Sequence, residues 1–283
     1  MFLFGEVAVL GAGLLGASLG AALKARGLCR RVRAWSRSEA TRAKCAEAAW
    51  CDSVCGEISG ATEGADLVVL SSTPGSIPRV AAAAVPSAKT GAVFTDVGST
   101  KARIVSACAP LFEGADFFYV PSHPMAGSDK SGPEHADADL FEGAACFVCP
   151  TQNPEADSAV RAMWEAVGMR VFEKSPEEHD RIAAAVSHVP QCAASALAFL
   201  ASADPRTYRD FAGGGFRDTT RIAKSDPSMW LSIFRENPEN IERGLREYSR
   251  AVSALADAVA AGDEAFLGDF LKKAREMRLS LDR

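Results

Sequence analysis

Six residues, Gly11-Ala12-Gly13-Leu14-Leu15-Gly16, restrict the fold of this chain more than any others. They follow an apolar run at 7–10 and open an apolar, alanine-rich stretch at 14–26. Strand, tight turn and helix is the context that gives a GxGxxG spacing its meaning. The first glycine permits the turn, and the second lets a pyrophosphate approach the backbone. The third lets helix and strand pack closely, and the helix N-terminus faces the anion. The spacing predicts a dinucleotide site built from Gly11, Gly13, Leu14, Leu15 and Gly16.

The rest of the first half alternates in the same way. Short apolar runs at 31–35, 65–70, 92–95, 117–120 and 144–149 are bounded by Gly, Pro and Asp, and a helical stretch covers 39–49. This alternation predicts parallel βαβ units and a doubly wound α/β sheet of at least six strands. A helix at 155–167 and a short strand at 170–172 still belong to it. At Ser175-Pro176-Glu177-Glu178 the character changes to an N-cap, a proline at the first helical position and acidic first-turn residues. From there the pattern is helical, interrupted at Asp204-Pro205, Gly213-Gly214-Gly215, Asp226-Pro227 and Asn237-Pro238. The expected division is a Rossmann-type domain over 1–174 and an all-α domain over 175–283. Residues 241–261 and 264–281 carry more apolar residues at helical spacing than a domain of that size hides. They predict a homodimer through the helical half.

Composition removes several classes of function. The 283 residues carry 31 Lys+Arg against 36 Asp+Glu, a net charge of −5, which provides no basic field for nucleic acid. With 48% hydrophobic residues the chain has the apolar surface that disordered chains lack. No apolar run approaches the roughly 20 residues that span a bilayer, so no membrane partner is expected. The N-terminus contains Glu6 and no basic cluster, and reads as the first strand. Of eight cysteines only Cys51/Cys55 and Cys146/Cys149 are close pairs, and neither is spaced to complete a four-ligand metal site. They read as buried, reduced thiols, which points to a reducing compartment, the cytoplasm.

The end of the second strand selects the cofactor. An acidic residue there would bond the ribose 2′-hydroxyl of NAD. This chain instead has Trp35-Ser36-Arg37-Ser38. Ser36 and Arg37 offer a neutral donor and a charged donor to a 2′-phosphate, so NADP is expected over NAD. Two polar segments, Ser71-Ser72-Thr73-Pro74 and Asp96-Val97-Gly98-Ser99-Thr100-Lys101, follow strands on the same sheet edge. Ser71, Ser72, Thr73 and Asp96 are candidate cofactor contacts. His123, one of four histidines, is expected in a loop after the 117–120 strand, placed to take a proton as hydride leaves the same alcohol carbon.

The segment from Ser122 to Gly132, Ser-His-Pro-Met-Ala-Gly-Ser-Asp-Lys-Ser-Gly, resembles the signature of prephenate and arogenate dehydrogenases. So do Ala138-Asp139-Leu140-Phe141, His179-Asp180, Ser187-His188-Val189-Pro190, the segment from Gly214 to Ala223, and Ser225-Asp226-Pro227-Ser228-Met229-Trp230. The resemblance implies a Rossmann domain followed by a helical domain that dimerises. It implies oxidative decarboxylation of prephenate, or of its amino analogue arogenate, in tyrosine biosynthesis. On the same basis His123 is the catalytic base, Ser99 orients it, and Arg221 holds a substrate carboxylate. Arg217, one helical turn before Arg221, is a second candidate, and Ser187 and His188 wall the pocket. The family block often has a second histidine where this chain has Gln191, a neutral amide, which bears on the choice between keto and amino substrates. Ser99 also has a plainer role open to it, as the cap of the next helix. His179-Asp180 reads as an interdomain contact or a cap, and Trp230 as core or interface.

Two other readings remain. A β-hydroxyacid-type dehydrogenase would use a lysine of the helical domain, for which Lys224 is the best placed. A dinucleotide sensor without turnover would not require His123, Ser99 and Arg221 together.

Overall fold

The computed structural model describes residues 3–128 and 130–281, so Met1, Phe2, Asp129, Asp282 and Arg283 lie outside the described residues. The chain begins with β1 (Phe4–Leu10), α1 (Leu14–Ala25), β2 (Cys29–Trp35), α2 (Glu39–Ala46), β3 (Ser53–Cys55) and α3 (Ile58–Thr62). It continues with β4 (Leu67–Leu70), α4 (Ile77–Ala84), β5 (Val93–Asp96), α5 (Ala102–Phe112) and β6 (Phe118–Val120). These six strands form one parallel sheet in the order β3-β2-β1-β4-β5-β6. That is the Rossmann order, with its topological switch point between β1 and β4. Val7, Val9, Val68 and Val69 are completely buried because helices cover both faces of the sheet.

Register brings the strand ends into line. Trp35 pairs with Leu10, Leu10 with Leu70, and Leu70 with Asp96. The segments that leave β1, β4 and β5 therefore emerge side by side at the carboxyl edge, where ligands bind in open α/β sheets.

Two expectations about strands need correction. The run 144–149 does form a strand, β8 (Ala145–Val148), but outside the parallel sheet. It lies in a second, three-stranded sheet between β7 (Ser122–Pro124) and β9 (Arg170–Glu173), antiparallel to β7 and parallel to β9. The sixth strand of the parallel sheet is instead β3, short and half-polar. Pro121 separates β6 from β7, and lacking an N–H it cannot continue the ladder. The chain turns there, and Cys149 N donates to Pro121 O at 2.9 Å to start the second sheet. His123 consequently sits on a strand and not in a loop.

After α6 (Pro154–Ala166) the helical half begins with a capping box: Ser175 Oγ accepts from Glu178 N at 3.2 Å, and Glu178 Oε2 accepts from Ser175 N at 3.1 Å. α7 (Pro176–Ala183) passes through a π turn (Ala184–His188) into α8 (Val189–Ala201). This 26-residue rod is long and apolar enough to cross a membrane by length and composition, contrary to the expectation that no such run exists. Its alanines account for the composition, and His179, Asp180, His188 and Gln191 on it are buried. α9 (Pro205–Phe211), α10 (Gly214–Thr220), α11 (Pro227–Glu236), α12 (Pro238–Ala261) and α13 (Glu264–Ser280) complete the chain. The helical half has only a small core of its own, Ala184, Ile233 and Ile241.

The halves pack directly. Ser232 Oγ accepts from Gly75 N at 3.2 Å, and Arg103 donates to Arg235 O at 2.5 Å and to Glu239 at 2.7 Å.

Candidate active site

The glycine turn has the shape of a pyrophosphate cradle. Gly11 has φ +104°, and a Cβ there would lie 2.8 Å from the backbone of Ser71 and Ser72. A Cβ on Gly16 would run into Ser71 Oγ and come within 2.8 Å of Val9. At Gly13 a Cβ would meet nothing within 4 Å. Gly13 is also the N-cap of α1, and no side chain caps that helix. Open space therefore meets free N–H donors, the combination an anion requires. Leu14 and Leu15, half-buried, begin the helix beside it.

The neighbouring loop is divided in role. Ser71 Oγ donates to Gly11 O at 2.8 Å, so this predicted cofactor contact instead braces the glycine turn. Ser72 Oγ is buried without a partner and remains available. Thr73 Oγ1 is paired with Ser76 Oγ at 2.9 Å, closing its own turn. At the end of β2, Ser36 is half-buried and Arg37 exposed. Arg42, which sequence reasoning did not single out, donates to Ser36 O at 2.7 Å and to Arg37 O at 3.1 Å and fixes that corner.

Asp96 does not face a dinucleotide. It is fully buried and accepts from Gly98 N (2.9 Å), Tyr119 OH (2.9 Å) and Ser122 N (3.2 Å), besides forming an ion pair with buried Lys101. Its predicted cofactor role gives way to a structural one, because every donor it meets is the protein's own. Ser122 Oγ extends this network: it donates to Asp96 O at 2.6 Å and accepts from Trp164 Nε1 at 3.0 Å. The residue next to Ser122 is therefore held rigidly, and that residue is His123.

His123 pairs with Phe147 across the second sheet and is buried. Its Nδ1 lies 2.8 Å from His179 Nε2, and His179 Nδ1 lies 2.8 Å from Asp180 Oδ1. Asp180 also accepts from Lys101 N at 2.6 Å and Ala102 N at 2.9 Å, so it caps α5 from the helical half. The capping role open to Ser99 thus belongs to Asp180. The bond that holds His123 comes from His179, and Ser99 sits half-buried with its backbone against His188. Burial holds His123 well below the ordinary histidine range, with His179 and Lys101 adding to the effect. Burial lowers His179 too, against the pull of Asp180. Both imidazoles are neutral at pH 7.

The π turn explains how two histidines on one rod reach the same region. Nine residues of regular α-helix would place His188 about 180° from His179, and the extra residue of a π turn reduces this to about 80°. Gln191 moves from about 120° to about 20° by the same reckoning. Pro190, with no N–H for the carbonyl of Val186, is the local cause. His188 is pushed by burial to about 4, its Nε2 has no partner, and Trp230 packs edge-on against it at 6.1 Å. Ser187 beside it is half-buried, and Gln191 donates weakly to Ser195 Oγ at 3.4 Å.

Arg217 and Arg221 line a cavity of about 550 Å³ with Arg209, Lys224, Tyr208 and Phe216. The lining combines cationic side chains with two aromatic rings and no carboxylate, Arg209 being paired with Asp210 at 3.3 Å, and so offers an anion charge-assisted donors. The helix ends between the two arginines: Arg217 is in α10, and Arg221 begins a 3₁₀ turn. Neither His123 nor Ser99 lines this cavity. The reading of His179-Asp180 as an interdomain contact or a cap holds for Asp180, which is both, but the bond from His179 to His123 and the roles of Lys101 and Arg42 are not visible in the sequence. The pairing His179-Asp180 is visible in the sequence, but its partners are 56 to 79 residues away in the chain.

Residues 19–173 match the family described as prephenate dehydrogenase, nucleotide-binding domain, and residues 175–273 match prephenate dehydrogenase, dimerization domain. This chain belongs to the prephenate dehydrogenase family. The cyclohexadienyl dehydrogenase of Zymomonas mobilis is 30% identical over 99% of this chain and 97% of its own length. The prephenate dehydrogenase of Aquifex aeolicus, solved with hydroxyphenyl propionate and NAD+, superposes with a TM-score of 0.90 at 30% identity, covering 98% of each chain. The arogenate dehydrogenase of Synechocystis gives 0.81 at 25% identity, covering 96% of this chain and 98% of its own. As a prephenate dehydrogenase-family protein the chain is an NAD(P)-dependent oxidoreductase, and its glycine turn fits that cofactor.

The glycine geometry separates binding from folding. Gly13→Val adds a side chain where there is only space, so thermal unfolding should match wild type while NAD(P) binding weakens at least about tenfold, or 1.4 kcal/mol. Calorimetric titration and a melting curve check both halves. Unchanged affinity would place the pyrophosphate elsewhere.

Proposed function

We propose that this chain catalyses the oxidative decarboxylation of prephenate to 4-hydroxyphenylpyruvate, within tyrosine biosynthesis. The observation that carries the reading is a neutral, buried His123 on the strand that leaves the carboxyl edge of the sheet, the edge that holds the glycine turn. One ring nitrogen of His123 is engaged by His179, and the other is left for the substrate's ring hydroxyl. His123 takes the hydroxyl proton while the cofactor, when bound, accepts the hydride from the same carbon. The ring carboxylate then leaves as carbon dioxide, its bonding electrons completing the aromatic ring, and the imidazolium returns the proton to the ring oxygen. Aromatisation supplies the driving force, so the protein need only align and deprotonate. Ser99, beside His188, is proposed to touch the same hydroxyl.

Arg221 is proposed to hold one substrate carboxylate and Arg217 the other, with Ser187, His188 and Gln191 walling the side chain. The cavity that Arg217 and Arg221 line, which Ser187, His188, Gln191 and His123 do not, carries cations of the kind two carboxylates need. Arogenate is the second reading, favoured by one feature: buried Gln191 and neutral His188 put no positive charge where a keto acid and an amino acid differ. NADP is proposed as the preferred cofactor. The end of β2 offers Ser36 and Arg37 with Arg42 behind them, and Ser36 stands where an acidic residue would repel a 2′-phosphate. We divide the chain into a dinucleotide domain over 1–174 and a helical substrate and dimer domain over 175–283, supported by the capping box at Ser175. The eight unpaired cysteines support a reducing compartment, the cytoplasm.

A homodimer through the helical half is proposed because that half leaves its apolar side chains uncovered. Phe199 is 76% and Phe211 84% exposed, and α13 buries none of its residues. Light scattering at micromolar concentration should give twice the chain mass, and a monomer would refute the assembly.

The activity is tested by following nicotinamide reduction with prephenate or arogenate. Turnover of prephenate is expected, and His123→Ala should lower kcat by about 10²–10⁴ with NADP affinity retained. A His123→Ala enzyme within about threefold of wild type removes His123 from the chemistry.

The same assay run with both nucleotides measures cofactor choice. A charge-assisted contact of about 1–3 kcal/mol predicts a kcat/KM preference of about 5- to 150-fold for NADP, lost in Arg37→Ala. Preference for NAD in the wild type would mean that Arg37 points to solvent.

A further inference from the structure

We infer that His179 and Asp180 are positioning residues that fix which nitrogen of His123 is the base, so that the helical half sets the catalytic tautomer in the dinucleotide-binding half. The inference rests on the proposed role of His123. Asp180 receives three donors, the N–H groups of Lys101 and Ala102 and His179 Nδ1. An ionised carboxylate only accepts, so His179 carries its proton on Nδ1. A neutral His179 then has a bare Nε2, which can only accept. The atom 2.8 Å from it, His123 Nδ1, must therefore donate. That leaves His123 Nε2 without a proton, facing away from the chain and ready to receive one.

The same chain serves after proton transfer. Imidazolium at His123 keeps its Nδ1–H on His179, whose own N–H points at the Asp180 carboxylate. The positive charge is stabilised without any further proton movement. The groups facing His123 and His179 are Asp96 at the end of β5, Lys101 from the loop after it, Asp180 on α7, His188 in the π turn, and the uncharged Cys146 and Phe147 of β8. Lys101 is neutralised by Asp96, and His188 is uncharged at pH 7. Asp180 is thus the one negative charge linked to the base by hydrogen bonds among the described residues. Its link also runs across the domain boundary, because the same carboxylate caps α5, while within the helical half Asn237 Nδ2 donates to the Asp180 carbonyl at 2.8 Å.

Nitrogen-15 NMR of the full chain reads the tautomer directly, because there are only four histidines and His123→Asn identifies the signal. His123 is expected with Nδ1 protonated and Nε2 bare, in protein without substrate. In His179→Phe the preference should disappear. kcat should fall at least about tenfold while KM for substrate and nucleotide stays within about twofold, since the bond orients a base and binds nothing. The acid limb of kcat/KM should move to lower pH, because an imidazolium deprived of Asp180 loses its proton more readily. His179→Gln, with an amide oxygen available to accept from Nδ1, should restore the tautomer and most of kcat but leave the acid limb displaced, since it carries no link to the charge. Wild-type His123 protonated on Nε2 overturns the inference. So does a folded His179→Phe enzyme with kcat within about threefold of wild type, or a loss confined to KM. The NMR result stands whether or not prephenate is the substrate, so failure of the tautomer and failure of the proposed reaction are distinguishable.

Discussion

The carboxylate of Asp180 is the point at which the two halves of this protein become one site. It projects from the second turn of the first helix of the helical half and ends at the N-terminus of α5 in the sheet half, accepting two backbone N–H groups there. A helix N-terminus favours an anion by about 0.3–1 kcal/mol when exposed and by up to about 2 kcal/mol when partly buried. Here the anion is almost completely buried, so its desolvation must be offset by the three donors around it. Removing any of them leaves the others with a buried, under-satisfied charge. This interdependence fixes the register between the rod Pro176–Ala201 and the sheet edge, and with it the position of His179 against His123.

A second buried charge lies beneath the first. Asp96, at the last position of β5, holds Lys101, Tyr119, Gly98 and Ser122. Lys101 links the two networks, since its side chain pairs with Asp96 and its backbone N–H donates to Asp180. Buried ion pairs contribute little net stability compared with apolar packing of the same volume. Their value here is geometric. The Asp96 network fixes Ser122 from below and the Asp180 network fixes His179 from the side, so His123 is bounded in two directions by groups that cannot relax independently. An imidazole held this way loses little orientational freedom when a ligand arrives.

What the sequence discloses and what it conceals follow one physical division. The glycine turn, the Rossmann alternation and the capping box at Ser175 are legible because each is decided by residues within a few positions of one another. Gly11 needs its positive φ, and Ser175 and Glu178 bond each other three residues apart. The run 144–149 is legible as a strand but not as to its sheet, because period-2 burial does not name the partner. Ser53–Cys55 and Ser122–Pro124 are three residues each and half polar, below the length at which alternation can be read. Motif position alone puts Asp96, Ser71 and Ser99 at the ligand edge. At the first two of these a side chain is consumed by the protein itself, which depends on Tyr119, Ser122 and Gly11 arriving from elsewhere. The one local clue to the π turn is Pro190, whose missing N–H weakens the α pattern at Val186 without saying which way the rod will adjust.

The helical half then carries an unusual burden. It presents His179, Asp180, His188, Gln191 and the arginine cavity, yet among the described residues its core cluster is Ala184, Ile233 and Ile241 with Cys192, Trp230, Phe234 and Leu245 packed against them, little apolar burial for roughly a hundred residues of chain. Part of the deficit is met across the domain boundary by Arg103, Gly75 and Asp180, each bond contributing about 0.5–1.5 kcal/mol net, and somewhat more where a charge is involved. The rest requires cover for Phe199, Leu200 and Phe211, which the proposed dimer would supply. Phe211 lies two residues before Gly213, which opens the Gly213-Gly214-Gly215 segment at the start of α10, and Arg217 and Arg221 follow on that helix and the turn after it. Covering the apolar face would therefore do more than stabilise the domain. It would fix the segment that carries Arg217 and Arg221, so that the proposed carboxylate site and the proposed subunit interface would be set by the same contacts.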